Sequence, residues 1–295
     1  MGMPVRLVLY AAGRPDAERA ARAAFRRVAA LDEALSDYRP DSEVSRLSAS
    51  AGAWTPVGVD LIRVLARALE IAEKSGGAFD PTAGPLTAIW REARRTKRAP
   101  DPAALQAARD LVGWRLVDLD RAGARARLAR AGMRLDLGGI AKGYILQEGL
   151  AVLRAEGVPC ALVEAGGDIV AGDAPPGRPG WHVDVPSGDA AFAARARALA
   201  RAALATSGAT AQFVEIDGVR YSHVIDPRTG LGVTDRRVTR VISPDAATAD
   251  ALATAVGVLG LADSRRLLAH FPDAIVSVTA ADERPPLPQV AGSSF

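Results

Sequence analysis

The chain of 295 residues has a single cysteine, few aromatic residues and no long hydrophobic run. Because Cys160 has no partner in the chain, an internal disulfide is impossible and the fold cannot depend on an oxidising compartment. No stretch reaches the roughly 18 apolar residues that a membrane helix needs, so no membrane span is predicted. The first ten residues are too few and too strand-like for a signal peptide, which favours the cytoplasm.

A strong excess of one charge is also lacking. The chain has 37 Lys and Arg against 34 Asp and Glu, a net charge of +3, and the two signs alternate. So mild and diffuse an excess argues against nucleic-acid binding. The densest basic runs, residues 91–98 and 121–130, are predicted to be solvated faces or loops rather than phosphate sites.

Hydrophobic periodicity predicts one α+β domain over residues 1–295, with mixed or antiparallel sheets and flanking helices, because helices and hairpins do not alternate as in a doubly wound sheet. Helices are expected at 17–35, with Asp16 as the N-cap, and at 60–74, 102–111 and 246–259. Residues 78–86 contain two prolines and a glycine and are predicted to be irregular but partly buried.

The stretch 133–145 combines a predicted strand, the turn Gly138-Gly139 and the start of a helix at Ile140. Amides at a helix N-terminus lack partners and attract anions, and Lys142 adds a positive charge in the first helical turn. The pattern therefore indicates a site for an anionic ligand. A tight strand-to-helix connection with a solvent-facing lysine would have the same sequence, and both interpretations stay open.

Two further groups of polar residues have the chemistry of a catalytic site. Asp250 and Thr254 lie four residues apart on one face of an otherwise apolar helix, and their oxygens suit Mg²⁺. Asp245 and Thr248 could instead be only helix caps. His223 precedes a turn that contains Asp226, and it could act as a general base or serve only to support the turn.

At these residues the sequence resembles the FAD:protein FMN transferase family, the ApbE family. The resemblance covers nearly the whole chain, and the motifs that carry it follow in order: Met1-Gly2, then residues 36–43, 77–86, 136–144 (Asp-Leu-Gly-Gly-Ile-Ala-Lys-Gly-Tyr), 166–169, 206–208, 222–230 (Ser-His-Val-Ile-Asp-Pro-Arg-Thr-Gly) and 249–254. Each motif alone is moderately specific, whereas their order and spacing together are highly specific.

The resemblance implies an α+β enzyme that uses Mg²⁺ to cleave FAD. It would attach FMN through a phosphoester bond to a Ser or Thr of a protein with a Ser/Thr-Gly-Ala-Thr-like motif, releasing AMP. His223 is implied as the catalytic base, with Asp250 as the alternative. The implied metal ligands are Asp250, Thr254 and the carbonyl of Ile145. The implied FAD-binding residues are Met1, Tyr38, Ala78, Phe79, Asp80, Lys142, Glu148 and Ile225.

The sequence departs from the family pattern at several points. Gln147 stands where the family usually has Asp, and family members are commonly exported, whereas this chain begins inside the first motif. Residues 206–210 resemble the acceptor motif itself but lack its upstream acidic residue, so the match is interpreted as coincidence. Two alternatives remain: an FAD pyrophosphatase that releases FMN and AMP, and a non-catalytic FAD-binding protein.

Overall fold

The computed structural model describes residues 3–208, 212–280 and 288–290. Met1, predicted to bind FAD, lies outside them. The helices are α1 (Arg14–Leu35), α2 (Glu43–Ala49), α3 (Val59–Lys74), α4 (Gly84–Thr96), α5 (Pro102–Arg109), α6 (Ala141–Ala155), α7 (Ala190–Ala196), α8 (Ala246–Leu259) and α9 (Arg265–Leu268). None of the described helices is long and apolar enough to cross a membrane.

The strands are β1 (Val5–Leu9), β2 (Thr55–Pro56), β3 (Val117–Asp120), β4 (Arg125–Leu128), β5 (Ala161–Ala165), β6 (Asp168–Ala171), β7 (Val183–Asp184), β8 (Ala202–Gly208), β9 (Phe213–Ile216), β10 (Val219–Ser222), β11 (Ile225–Asp226), β12 (Leu231–Gly232), β13 (Arg237–Ser243), β14 (Ile275–Ala280) and β15 (Gln289–Val290). Six of them form a sheet in the order β1-β5-β6-β8-β13-β14, in which every neighbouring pair is antiparallel. The predicted α+β class is confirmed.

One face of this sheet is covered by helices. Helix α8 packs on β8 and β13 and against α6 and α3, and α6 in turn contacts α1 and β5. Eleven of the 14 residues of α8 are buried, which explains why its sequence is apolar around nearly its whole circumference. The polar side chains of Thr248 and Asp250 on α8 are buried as well, whereas Thr254 is half-buried.

The other face of the sheet packs against α7 and β7 through Trp181, Phe192, Leu204 and Ile242. A third apolar cluster joins α4 to the hairpin β9–β10, and the Trp90 indole Nε1 donates to the Gly230 carbonyl at 2.7 Å. The segment that carries His223 is therefore attached to α4.

Three local predictions were wrong. Residues 133–137 form no strand beyond a single bridge between Arg134 and Ala83, because they run beside the irregular 78–83 loop instead of joining a sheet. The irregular segment predicted over 78–86 ends at Ala83, because a helix begins at Gly84, where Pro85 fits the first turn, and continues through residues 91–96. Helix α1 begins at Arg14 with Gly13 as its N-cap, so Asp16 lies inside its first turn.

Candidate active site

The polar centre of the fold is a cluster of two buried carboxylates, Asp168 and Asp250, and the half-buried Lys142. The Lys142 Nζ contacts the Asp168 Oδ2 and lies 3.3 Å from the Asp250 Oδ1. Helix α6 supplies the lysine, strand β6 one carboxylate and helix α8 the other. The Asp168 Oδ1 also accepts the backbone N–H of Thr206 on β8 at 2.8 Å.

The charged groups of this cluster shift one another's pKa values. Burial raises the pKa of Asp250 to about 6, and Lys142 acts in the opposite direction. Burial alone would lower the pKa of Lys142, but the carboxylates of Asp168 and Asp250 outweigh it and hold the pKa above its ordinary value. Two carboxylates around one ammonium leave a net negative charge, which favours a further cation beside Asp250.

Close contact between α6 and α8 brings the cluster together. The Gly143 N–H donates to the Asp250 Oδ2 at 3.2 Å. A Cβ atom built on Gly143 would lie 2.0 Å from the carbonyl oxygen of Ala246, so only glycine permits this approach.

The glycine turn before α6 lies beside Thr254. A Cβ built on Gly139 would lie 2.8 Å from the Thr254 Oγ1 and 3.3 Å from the ring of Phe79. Thr254 is one helical turn after Asp250 on α8, so the hydroxyl and the carboxylate share a face. The structure thus brings two predicted metal ligands together with the predicted flavin-binding Phe79.

Ile145 and Glu148 are placed differently. Ile145 is buried in the second turn of α6, where backbone carbonyls bond along the helix, and it is Gly139 that approaches Thr254. The Glu148 carboxylate pairs with Arg27 of α1, which also pairs with Asp60 of α3. The structure does not bring Glu148 to Lys142, so its proposed contact with FAD remains a prediction without a supporting contact.

Gln147 links α6 to the start of α8. Its Oε1 accepts the Ala246 N–H at 2.6 Å, and its Nε2 lies 3.4 Å from the Asp245 Oδ2. Asp245 is the N-cap and accepts the Thr248 N–H at 2.7 Å, so the capping role foreseen as an alternative is observed for these two residues. Gln147 therefore holds the helix that carries Asp250.

The irregular loop before α4 is held in place by Asp80. Its Oδ1 accepts from the backbone N–H and the hydroxyl of Thr82, at 2.8 and 2.7 Å, and its Oδ2 accepts the Trp114 N–H at 2.9 Å. Ala78 and Phe79 are buried directly beside it. Asp80 therefore supports the loop, and its predicted contact with FAD remains a prediction.

Tyr38 lies at the exposed rim, with 76% of its surface accessible. The Arg91 guanidinium sits 4.1 Å from the centre of its ring, and the same guanidinium pairs with Asp37 at 2.7 Å and with Asp136 at 3.8 Å. An exposed tyrosine ring held by a paired arginine is a surface on which a flat ligand can stack.

His223 lies between β10 and β11. Its backbone N–H donates to the Gln212 carbonyl at 2.9 Å, and its Nδ1 is 3.2 Å from the same oxygen. Burial lowers the pKa of His223 below 6.5, and the charges of Arg94 and Lys142 act in the same direction. The imidazole is therefore neutral at pH 7, the form that a general base requires. Ile225 is buried two residues further on.

Asp168 was absent from the residues predicted to form the site. Its motif, residues 166–169, carries part of the family resemblance, but no role follows from the sequence for the Asp168 side chain. The available signal was a carboxylate that opens an otherwise apolar strand, where a buried charge requires a partner. In the segment 206–210, whose match to the acceptor motif is interpreted as coincidence, the Thr206 hydroxyl is buried and Thr210 lies outside the described residues.

In the described ranges 3–208, 212–280 and 288–290, no three His, Cys, Asp or Glu side chains are grouped to hold a metal ion. A metal at Asp250 would need other oxygen donors. The Thr254 hydroxyl and the backbone at Gly139 lie next to it, and one carboxylate with neutral oxygens and phosphates is a donor set that fits Mg²⁺.

The six-stranded antiparallel sheet, with a charged cluster buried under paired helices, defines an α+β protein with an enzyme-like site. The model of the ApbE family matches residues 1–277. An FAD:protein FMN transferase of Treponema pallidum is 42% identical over 257 residues, which cover 81% of this chain and 70% of the relative. One of Chlamydia trachomatis is 30% identical, covering 94% and 90%.

Solved structures of ApbE proteins have the same fold as this chain. The ApbE protein of Thermotoga maritima superposes with a TM-score of 0.80 at 28% identity, covering 95% of this chain and 94% of that one. The flavin transferase ApbE of Vibrio cholerae gives a TM-score of 0.79 at 26% identity, covering 99% and 95%. The chain belongs to the ApbE family of transferases.

Proposed function

We propose that this protein transfers FMN from FAD to a Ser or Thr hydroxyl of an acceptor protein and releases AMP, with Mg²⁺ bound at Asp250 and Thr254. The observation that carries the proposal is the cluster of Lys142, Asp168 and Asp250 beside the glycine turn. It combines a cation for phosphate with a carboxylate for a metal, within a family whose relatives are named for this reaction.

The metal site is proposed on the chemistry of its donors. Asp250 and Thr254 would bind Mg²⁺ with their side chains. The backbone carbonyl of Gly139 is a better third donor than that of Ile145, because Gly139 lies at Thr254 and outside regular helix. When bound, Mg²⁺ supplies neutralisation of the phosphate charge. Lys142, held by Asp168, would contact the same phosphates.

His223 is proposed to take the proton of the acceptor hydroxyl. It is neutral at pH 7, because burial and the charges of Arg94 and Lys142 lower its pKa. FMN would then pass to the hydroxyl oxygen as the bond between the two phosphates of FAD breaks, and AMP would leave with the other phosphate. The exposed ring of Tyr38 offers an aromatic surface at the rim for the flavin or the adenine.

The test is a transfer assay with purified protein, FAD, Mg²⁺ and an acceptor domain that contains a Ser/Thr-Gly-Ala-Thr-like segment. In-gel flavin fluorescence and mass spectrometry should detect FMN on the acceptor, and one AMP should appear per FMN. EDTA should abolish transfer and added Mg²⁺ should restore it. Asp250→Ala and His223→Ala should abolish transfer, whereas the exposed controls Asp263→Ala and His270→Ala should retain it.

The same assay separates the alternatives. Rapid AMP release without acceptor would identify a pyrophosphatase, and FAD binding without turnover would identify a carrier. Unchanged transfer by Asp250→Ala or His223→Ala would refute the roles given to those residues.

A further inference from the structure

Helix α4 directs part of its basic run towards the candidate active site. Glu92 and Arg95 are exposed and pair with each other at the surface. Arg91 and Arg94 lie on another face and are partly buried. The sequence pattern alone gave no reason to separate these arginines, because all of them belong to the run 91–98 that was interpreted as solvated.

Contacts of Trp90 and Arg91, which precede Arg94 in α4, fix the direction of the Arg94 side chain. Trp90, one turn before it, stacks on Tyr221 with ring centres 5.0 Å apart and bonds to Gly230. Arg91, three residues before it, contacts Tyr38 and Asp37. Residues three and four apart share a helix face, so Arg94 lies between the His223 segment and the Tyr38 rim. Its charge helps to lower the pKa of His223.

Arg94 differs from the other two cations of the site in its partners. Arg91 has the carboxylates of Asp37 and Asp136, and Lys142 likewise has two. Within the described residues, no hydrogen bond or ion pair joins the Arg94 guanidinium to another residue. Burial and the neighbouring charge of Arg91 lower the pKa of Arg94. Keeping Arg94 charged therefore costs free energy in the ligand-free protein.

We propose that Arg94 is a phosphate-binding residue, whose guanidinium binds an anionic oxygen of the FAD pyrophosphate on the His223 side of the site. This rests on the proposed function. The pyrophosphate carries two negative charges, and the charge of Lys142 is already balanced by its own two carboxylates. A cation without a carboxylate partner is therefore needed to bind the pyrophosphate. The planar guanidinium can donate two parallel hydrogen bonds to one phosphate.

The test compares Arg94→Gln with Arg95→Gln, which removes the same charge one residue away on the exposed face. Equilibrium titrations should use FAD and AMP against riboflavin and adenosine, which lack phosphate. Arg94→Gln should weaken FAD and AMP binding about 10- to 100-fold, the usual range for a lost hydrogen bond to a charged group, and leave riboflavin and adenosine unchanged. Arg95→Gln should bind all four as wild type does, and Arg94→Lys should recover part of the loss.

An NMR titration of His223 gives a second readout that does not depend on turnover. Removing a nearby positive charge should raise the pKa of His223 in Arg94→Gln, and Arg95→Gln should change it little. An unchanged His223 pKa would contradict the placement of Arg94.

Several binding results would overturn the proposal. Normal FAD and AMP affinity with a raised KM for the acceptor would assign Arg94 to the acceptor. Equal loss of riboflavin, adenosine and FAD binding would indicate general damage to the site. If the wild-type protein bound no FAD, the proposed function would fail and the phosphate assignment with it. A loss confined to Arg94→Gln and to the phosphate-bearing ligands supports both.

Discussion

Replacing Gly143 with alanine should separate the two helices that carry the candidate site. The added Cβ would lie 2.0 Å from the Ala246 carbonyl oxygen and 2.5 Å from its carbonyl carbon. Ordinary contacts of a Cβ begin at 3.4 Å, so α6 and α8 would have to move apart by about 1.4 Å, the difference between 3.4 and 2.0 Å. Because the clashing atoms belong to the backbone of Ala246, no side-chain rotation can relieve the clash.

The magnitude follows from two opposing effects. Overpacking a close-packed core costs typically about 1–3 kcal/mol, and a clash with backbone belongs at the upper end. Alanine recovers about 1 kcal/mol of helix propensity relative to glycine. The free energy of unfolding should therefore fall by roughly 2 kcal/mol. A shift of about 1 Å also misaligns Asp250 and Lys142, so transfer of FMN should fall about 100-fold.

Gly149→Ala, in the same helix, is the matched control. Its Cβ would meet a Val28 methyl group at 3.0 Å, a side-chain atom that can yield. Urea unfolding followed by circular dichroism should give this variant a stability within about 0.5 kcal/mol of wild type, since propensity and crowding roughly cancel. If Gly143→Ala proved as stable and as active as Gly149→Ala, the argument from helix approach would be refuted.

Three further predictions concern single side chains. Asp168→Asn should reduce transfer by about 10- to 100-fold, the usual cost of losing a residue that orients a catalytic group, and unchanged kinetics would contradict its role in holding Lys142. Asp80→Asn should lower the free energy of unfolding by about 1–3 kcal/mol in urea titrations, because Asp80 accepts three hydrogen bonds. The control Asp263→Asn, at an exposed site, should leave the free energy of unfolding nearly unchanged. The pH–rate profile should lose activity in acid with an apparent pKa below 6.5. Burial lowers the pKa of His223, and the imidazole stops acting as a base when it is protonated. An acid limb with an apparent pKa above 6.5 would refute this assignment.

The sequence predicted the elements with strong periodicity. Helix α8 has the bounds expected from its apolar pattern, and α3 begins one residue earlier than expected. The strand predicted at 133–137 failed because alternation of apolar and charged residues also arises where a segment runs along a core without pairing. Tertiary packing against the 78–83 loop decided its conformation.

The candidate site was predicted in part. Lys142, Asp250, Thr254 and His223 were recognised from residue type and spacing, since a charge in an apolar helix signals a buried interaction. Asp168 was missed because its partner is 26 residues away in sequence, and spacing reveals only local neighbours. The different roles of Arg94 and Arg95 were equally hidden, because they depend on which way α4 is rotated.

The connections of Asp168 have a consequence for engineering the enzyme. This one carboxylate ties β6 to the β8 backbone and to α6, so the charged centre is anchored in the main sheet. The rim residues Tyr38 and Arg91 belong to a loop and to α4, outside that sheet. If the proposed site is correct, substitutions at the rim should change ligand preference while the cluster of Lys142, Asp168 and Asp250 keeps its geometry, so specificity is best redesigned from the rim.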